Sequence, residues 1–171
     1  MDNRFDQDSY SDSSVSQPKW AEEVGLQTVD SDGLLRSVTV YIGPPSTALI
    51  TLLDDGSLTE ISGSDYLDCL IQARRQLERD GRLLCCQGAR PDVHPSGQLR
   101  QFTNGRQAYV HFLDAGGEAP ETVDIFDPAP PEDVVSLDDQ RAAIIRAWNT
   151  RHPGNQIWPI NQSRIVKAHR S

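Results

Sequence analysis

With 171 residues and 37% apolar content, the chain is long enough for one domain with a sizeable core, yet too polar for all of it to pack. Its net charge of −9 disfavours duplex DNA or an anionic membrane as the main partner, because like charge opposes the approach. The charge is uneven, −6 over residues 1–33, −7 over residues 34–147 and +4 over residues 148–171.

The first 19 residues, MDNRFDQDSYSDSSVSQPK, are Ser- and Asp-rich without apolar periodicity, and are expected to be disordered. The ordered region is expected to begin at Trp20. The expected organisation is a disordered acidic segment over residues 1–30, one α+β domain over 31–152 and a basic tail over 153–171. No basic region followed by an apolar stretch opens the chain, so no secretory signal is expected. No run approaches the ~18 apolar residues of a membrane helix. Cys69, Cys85 and Cys86 are odd in number, and neighbours on a strand point to opposite faces. A disulfide framework is therefore not expected, and a reducing cytoplasm is the expected location.

Val38, Val40 and Ile42 alternate with Thr39 and Tyr41, which predicts a half-buried strand ended by Gly43-Pro44-Pro45. Thr47 to Leu53 predicts a second strand. Asp55-Gly56 joins it to Leu58–Ile61 through a tight hairpin, since a type I′ turn needs positive φ at both central residues. A helix follows, capped by Ser62 or Ser64, with Asp65 near its positive end and Gly81 as a left-handed stop. Its apolar residues Tyr66, Leu67, Leu70, Ile71 and Leu77 recur at helical spacing.

Leu83-Leu84-Cys85-Cys86 is unbroken and apolar, which predicts a central strand covered on both faces. Gln98–Thr103 and Arg106–Leu113 flank Asn104-Gly105 as an expected hairpin. Thr122–Phe126 predicts one more strand, and PAPPED at 128–133 a stiff connector. Ser136 caps a second helix with Asp138 and Asp139 in its first turn, Ile144, Ile145 and Trp148 on its buried side, and Pro153-Gly154 as its stop. Ile157, Trp158 and Ile160 form one apolar cluster in the tail. The order is βββ-α-βββ(β)-α, an α+β fold with an antiparallel or mixed sheet of about six to seven strands carrying two main helices on one face.

No catalytic constellation and no metal or cofactor motif is evident, so neither cofactor nor metal is expected. Cys85 or Cys86 could act as a nucleophile with His94 or His111 as base, but an apolar strand suits a small buried hydrophobe better than a reactive thiol. The loop ARPDVHPSG at 89–97 places Arg90, Asp92, His94 and Ser96 between prolines and a glycine, a partly pre-set backbone suited to partner contact. Asp92, His94 and Ser96 are too closely spaced to converge as a triad. Asp54 and Asp55 sit at the first hairpin with Glu60 beyond it, and Asp124 is expected on the polar face of its strand. Arg164, Lys167 and Arg170 give the tail its charge.

The run DGRLLCCQGARPDVHPSGQLRQ, followed by GRQAYVHF and VDIFDPA, resembles small bacterial α+β proteins akin to the immunity proteins encoded beside secreted polymorphic toxins. The likeness covers about residues 80–130, near a third of the chain, and is most specific in GARPDVHPSG and VDIFDP. It implies a neutraliser that occludes a toxin's active site, and it brings no catalytic residues. Acidity fits a basic toxin as partner, since a nuclease cleft must attract anions. The expected function is thus a cytoplasmic, non-enzymatic binding protein. Its expected contacts are Asp54, Asp55, Glu60, Arg90, Asp92, His94 and Asp124, with no membrane or nucleic acid involved. The alternatives are a small cysteine-dependent hydrolase or transferase and a regulatory protein-interaction domain.

Overall fold

The structure is a computed structural model and describes residues 21–110, 121–160 and 164–167. Among the described residues it is α+β, with a five-stranded antiparallel sheet, a second sheet of three strands, a pair of antiparallel strands and three α-helices.

The large sheet contains β1 (Glu22–Asp30), β2 (Leu35–Ile42), β3 (Leu49–Asp54), β4 (Ser57–Ser62) and β5 (Arg82–Leu84) in the order β4-β3-β2-β1-β5. Residues paired across it set its core face: Leu26 opposes Val38, Val40 opposes Leu52, and Ile42 opposes Ile50, which opposes Ile61. All are buried. The Asp55-Gly56 turn has the expected positive φ at both positions, 47° and 74°.

Residues 22–30 correct the expected extent of the disordered segment, because they form β1 between β2 and β5. Glu22, Glu23, Gly25 and Gln27 are exposed, while Leu26 and Thr28 are buried. Polarity on the solvated face masks a strand whose other face belongs to the core. Residues 1–20 lie outside the described residues.

Helix α1 (Tyr66–Arg79) buries Tyr66, Cys69, Leu70, Ala73 and Leu77. Its cap is Asp65 rather than Ser62 or Ser64: the Asp65 carboxylate accepts the Asp68 N–H, and Asp68 in turn accepts from the Ser64 N–H and hydroxyl. Gly81 ends the helix at φ 73°.

The expected central strand at 83–86 is instead the edge strand β5, with Cys85 and Cys86 beyond its end. The run is apolar because it enters the seam between the sheets. Leu84, Cys85 and Cys86 are at most 2% exposed. A 3-10 turn at Gln87–Ala89 follows, its Gly88 N–H bonded to the Ile125 carbonyl.

The second sheet has the order β6-β7-β8, from β6 (Val93–His94), β7 (Gln107–Val110) and β8 (Thr122–Asp124). Residues 98–103, expected as a strand, form α2 (Gly97–Phe102). Ser96 accepts the Leu99 N–H and nucleates the helix, so local capping chemistry prevails over the hairpin pattern. Asn104-Gly105 still turns with positive φ at both residues, and β7 pairs with β6 out of the loop and with β8. Residues 111–113 of the expected strand lie outside the described residues.

Helix α3 (Leu137–Arg151) is capped by Ser136 as expected, the hydroxyl accepting the Asp139 N–H. Ile145 is its one buried residue, with Ile144 and Trp148 half-buried. The expected tail includes a short antiparallel pair, β9 (Ile157–Ile160) and β10 (Arg164–Lys167). No helix among the described residues is long and apolar enough to cross a membrane.

Candidate functional site

A cleft of about 610 Å³ lies between α1, α3 and the second sheet. Its floor is organised by Arg74, whose side chain is 1% exposed. Arg74 falls on the buried stripe of α1 with Leu70 and Leu77. Its Nη1 donates to the Gly88 carbonyl at 3.1 Å and to Gln140 Oε1 at 2.5 Å, and its Nη2 donates to the Val135 carbonyl at 2.8 Å. Gln140 of α3 donates its Nε2 to the carbonyls of Gly88 and Arg90. Glu78 lies 3.7 Å from Arg74 and accepts the Leu137 N–H at the start of α3. One arginine thus joins α1, the 3-10 turn and α3, with its buried charge bonded to neutral acceptors.

The sequence-predicted contacts fall in three places. The Arg90–Asp92–His94 loop borders the cleft. Arg90 and Asp92 form a two-pronged ion pair at 2.7 and 3.0 Å, and Arg90 also donates to Gln87. His94 lines the cleft, and burial, reinforced by Arg100, lowers its pKa and favours the neutral ring.

The first hairpin lies elsewhere on the molecule. Asp54 is clasped by Arg82 at 2.5 and 3.0 Å, which holds its carboxyl below the usual carboxylate range, while Asp55 and Glu60 are exposed. Asp124 belongs to a third cluster, accepting Arg106 Nε at 2.6 Å and the Phe126 N–H at 2.9 Å. Arg106 also reaches Glu22 and stands over the rings of Tyr66 and Phe126 at 6.0 and 5.9 Å. Arg106, just before β7, therefore ties Asp124 of β8 to Glu22 of β1.

The thiols are placed for packing. Burial pushes the Cys86 thiol up to about 12, and burial with the nearby Asp68 and Asp65 carboxylates pushes Cys69 up to about 11. Burial, with a smaller contribution from Glu132, also raises Cys85. A nucleophilic cysteine needs the opposite shift. All three thiols are therefore expected to react with a maleimide at least about a hundredfold more slowly in the native protein than in urea, because reaction must wait for local opening. A cysteine that labels as fast as free thiol in native buffer would contradict this placement. Among the described residues no group of three or more His, Cys, Asp or Glu side chains is arranged to hold a metal ion.

Exposed acids cluster on the connector into α3, where Asp127, Glu132, Asp133, Asp138 and Asp139 occur without an intervening base. The cleft residues Arg74 and Gln140 were not expected from the sequence. The available signal was the i, i+3 and i+4 spacing that sets Arg74 on the same face as Leu70 and Leu77.

No protein-family model matches this chain, and comparison with curated proteins finds no match.

Proposed function

We propose that this chain is a non-enzymatic binding protein, an immunity protein that caps a basic toxin and occludes its active site. One observation carries the reading: the groups best suited to chemistry are withdrawn into the fold, while a set of carboxylates is left at the surface. The thiols are buried, and Asp54, Asp92 and Asp124 are each held by an arginine. Asp55 and Glu60 on the hairpin, and Glu132, Asp133, Asp138 and Asp139 before and within α3, are exposed. Such a surface suits steering of a positively charged protein more than transformation of a small substrate.

The hairpin acids are the first contact surface. The double variant Asp55→Lys/Glu60→Lys changes the net charge by four, from −9 to −5. Both sites are exposed, so folding should be little affected. Association with the captured partner is expected to slow by about tenfold at low salt and to depend less steeply on ionic strength. An unchanged association rate at every ionic strength would remove this surface from the interface.

A further inference from the structure

The cleft between α1 and α3 has a chemistry that runs against the rest of the protein. Its walls are aliphatic, from Leu67 and Ile71 of α1, Val93 and Ala108 of the second sheet, and Ile144 and Ile145 of α3. Yet three arginines, Arg74, Arg75 and Arg141, border the same space in a protein of charge −9. Arg74 is committed to the floor. Arg75 is exposed and Arg141 half-buried, and among the described residues no carboxylate forms an ion pair with either.

The acids of the cleft are Glu78 and Asp138. Glu78 is engaged by the Leu137 N–H and by Arg74. Three guanidinium groups against two carboxylates leave the cleft with a surplus of one positive charge. That surplus matches a monoanion better than a phosphate dianion, which the two carboxylates would repel. Arg74 itself is closed off: both its Nη atoms are engaged by Gly88, Gln140 and Val135, and its Nε is buried from solvent. The guanidinium groups left to meet an anion are those of Arg75 and Arg141. The volume of about 610 Å³ lies within the range of small-molecule sites.

We propose that this cleft binds a small amphipathic carboxylate, its apolar body against the aliphatic walls and its carboxylate between Arg75 and Arg141. The site is separate from the first hairpin's contact surface, since neither Asp55 nor Glu60 lines it, although Asp138 of the exposed acidic set does. Arg75 and Arg141 act as the anion clamp, and the aliphatic walls select against anions too short to fill them, such as acetate.

Calorimetric titration of the full chain with octanoate, octanol and octylammonium at low salt tests the proposal, because the three share a chain and differ in head group. Octanoate is expected to saturate one site with at least about tenfold higher affinity than octanol, as a charge-assisted bond is worth that much, and octylammonium should bind most weakly. Arg75→Gln and Arg141→Gln should each weaken octanoate by about tenfold while leaving octanol unchanged. Both alter side chains outside the buried core, and circular dichroism melting checks that each variant is folded. Equal affinity for the three head groups, no saturable octanoate binding, or octanoate binding that survives both substitutions would overturn the proposal.

Discussion

Replacing Arg74 with methionine is expected to destabilise the protein by about 3 kcal/mol, measured as a fall in the urea midpoint at constant slope. Methionine keeps much of the apolar stem but none of the donors. The Val135 carbonyl would lose its bond to Arg74, and Gln140 Oε1 would lose the short bond that orients its side chain. Glu78 would lose its neighbouring cation and keep only the Leu137 N–H. A buried polar group stripped of its partner costs about 1–3 kcal/mol, and here several lose one together. Arg74→Lys should be only partly tolerated, because an ammonium point charge does not replace a planar fork that spans Gly88, Gln140 and Val135. If Arg74→Met were as stable as the native chain, the α1–turn–α3 junction would not depend on this side chain.

Gly105→Ala is expected to cost about 3 kcal/mol, from two separate causes. Gly105 sits at φ 75°, where an alanine is strained. An added Cβ would also lie 2.9 Å from the Leu67 backbone nitrogen and 2.9 Å from Asp65 Cγ, at the cap of α1. Neither neighbour has room to yield: Asp65 caps the helix through the Asp68 N–H and is held by Arg100 at 2.5 and 3.1 Å. Gly33→Ala isolates the first cause, because Gly33 has φ 80° and nothing within 4 Å of the added Cβ. It should cost only about 1 kcal/mol. Equal costs at the two glycines would mean that the 104–105 turn does not press on the start of α1.

The elements legible in the sequence are those fixed by local chemistry. The Asp55-Gly56 turn, the Gly81 stop and the Ser136 cap each follow from one or two residues whose backbone preference outweighs their surroundings. The acids of the first hairpin were equally legible as exposed charge, although the clasp of Arg82 on Asp54 was not.

What escaped depends on distant partners. Strand β1 reads as part of an acidic segment because Glu22, Glu23, Gly25 and Gln27 dominate one face, and only its pairing with β2 and β5 shows why Leu26 and Thr28 are buried. The stretch 98–103 reads as a strand beside Asn104-Gly105, but Ser96 starts a helix there, and β7 finds its partners at 93–94 and 122–124. Leu83 to Cys86 reads as central because it is apolar, although burial there comes from the seam between sheets at an edge strand. The cleft was hidden for the same reason. Arg74, Val93 and Gln140 come from three segments, and no sequence motif joins them.

The most direct measurement of the binding role is a neutralisation titration. The tagged full chain is used at low salt to capture a partner from the source organism, and the partner's toxic or enzymatic activity is then followed as purified chain is added. The expected result is one basic partner, released by salt, whose activity falls to background at equimolar chain, with the Asp55→Lys/Glu60→Lys variant requiring a clear excess at the same low salt. A partner that stays fully active under saturating chain, or no salt-sensitive basic partner at all, would contradict a capping role.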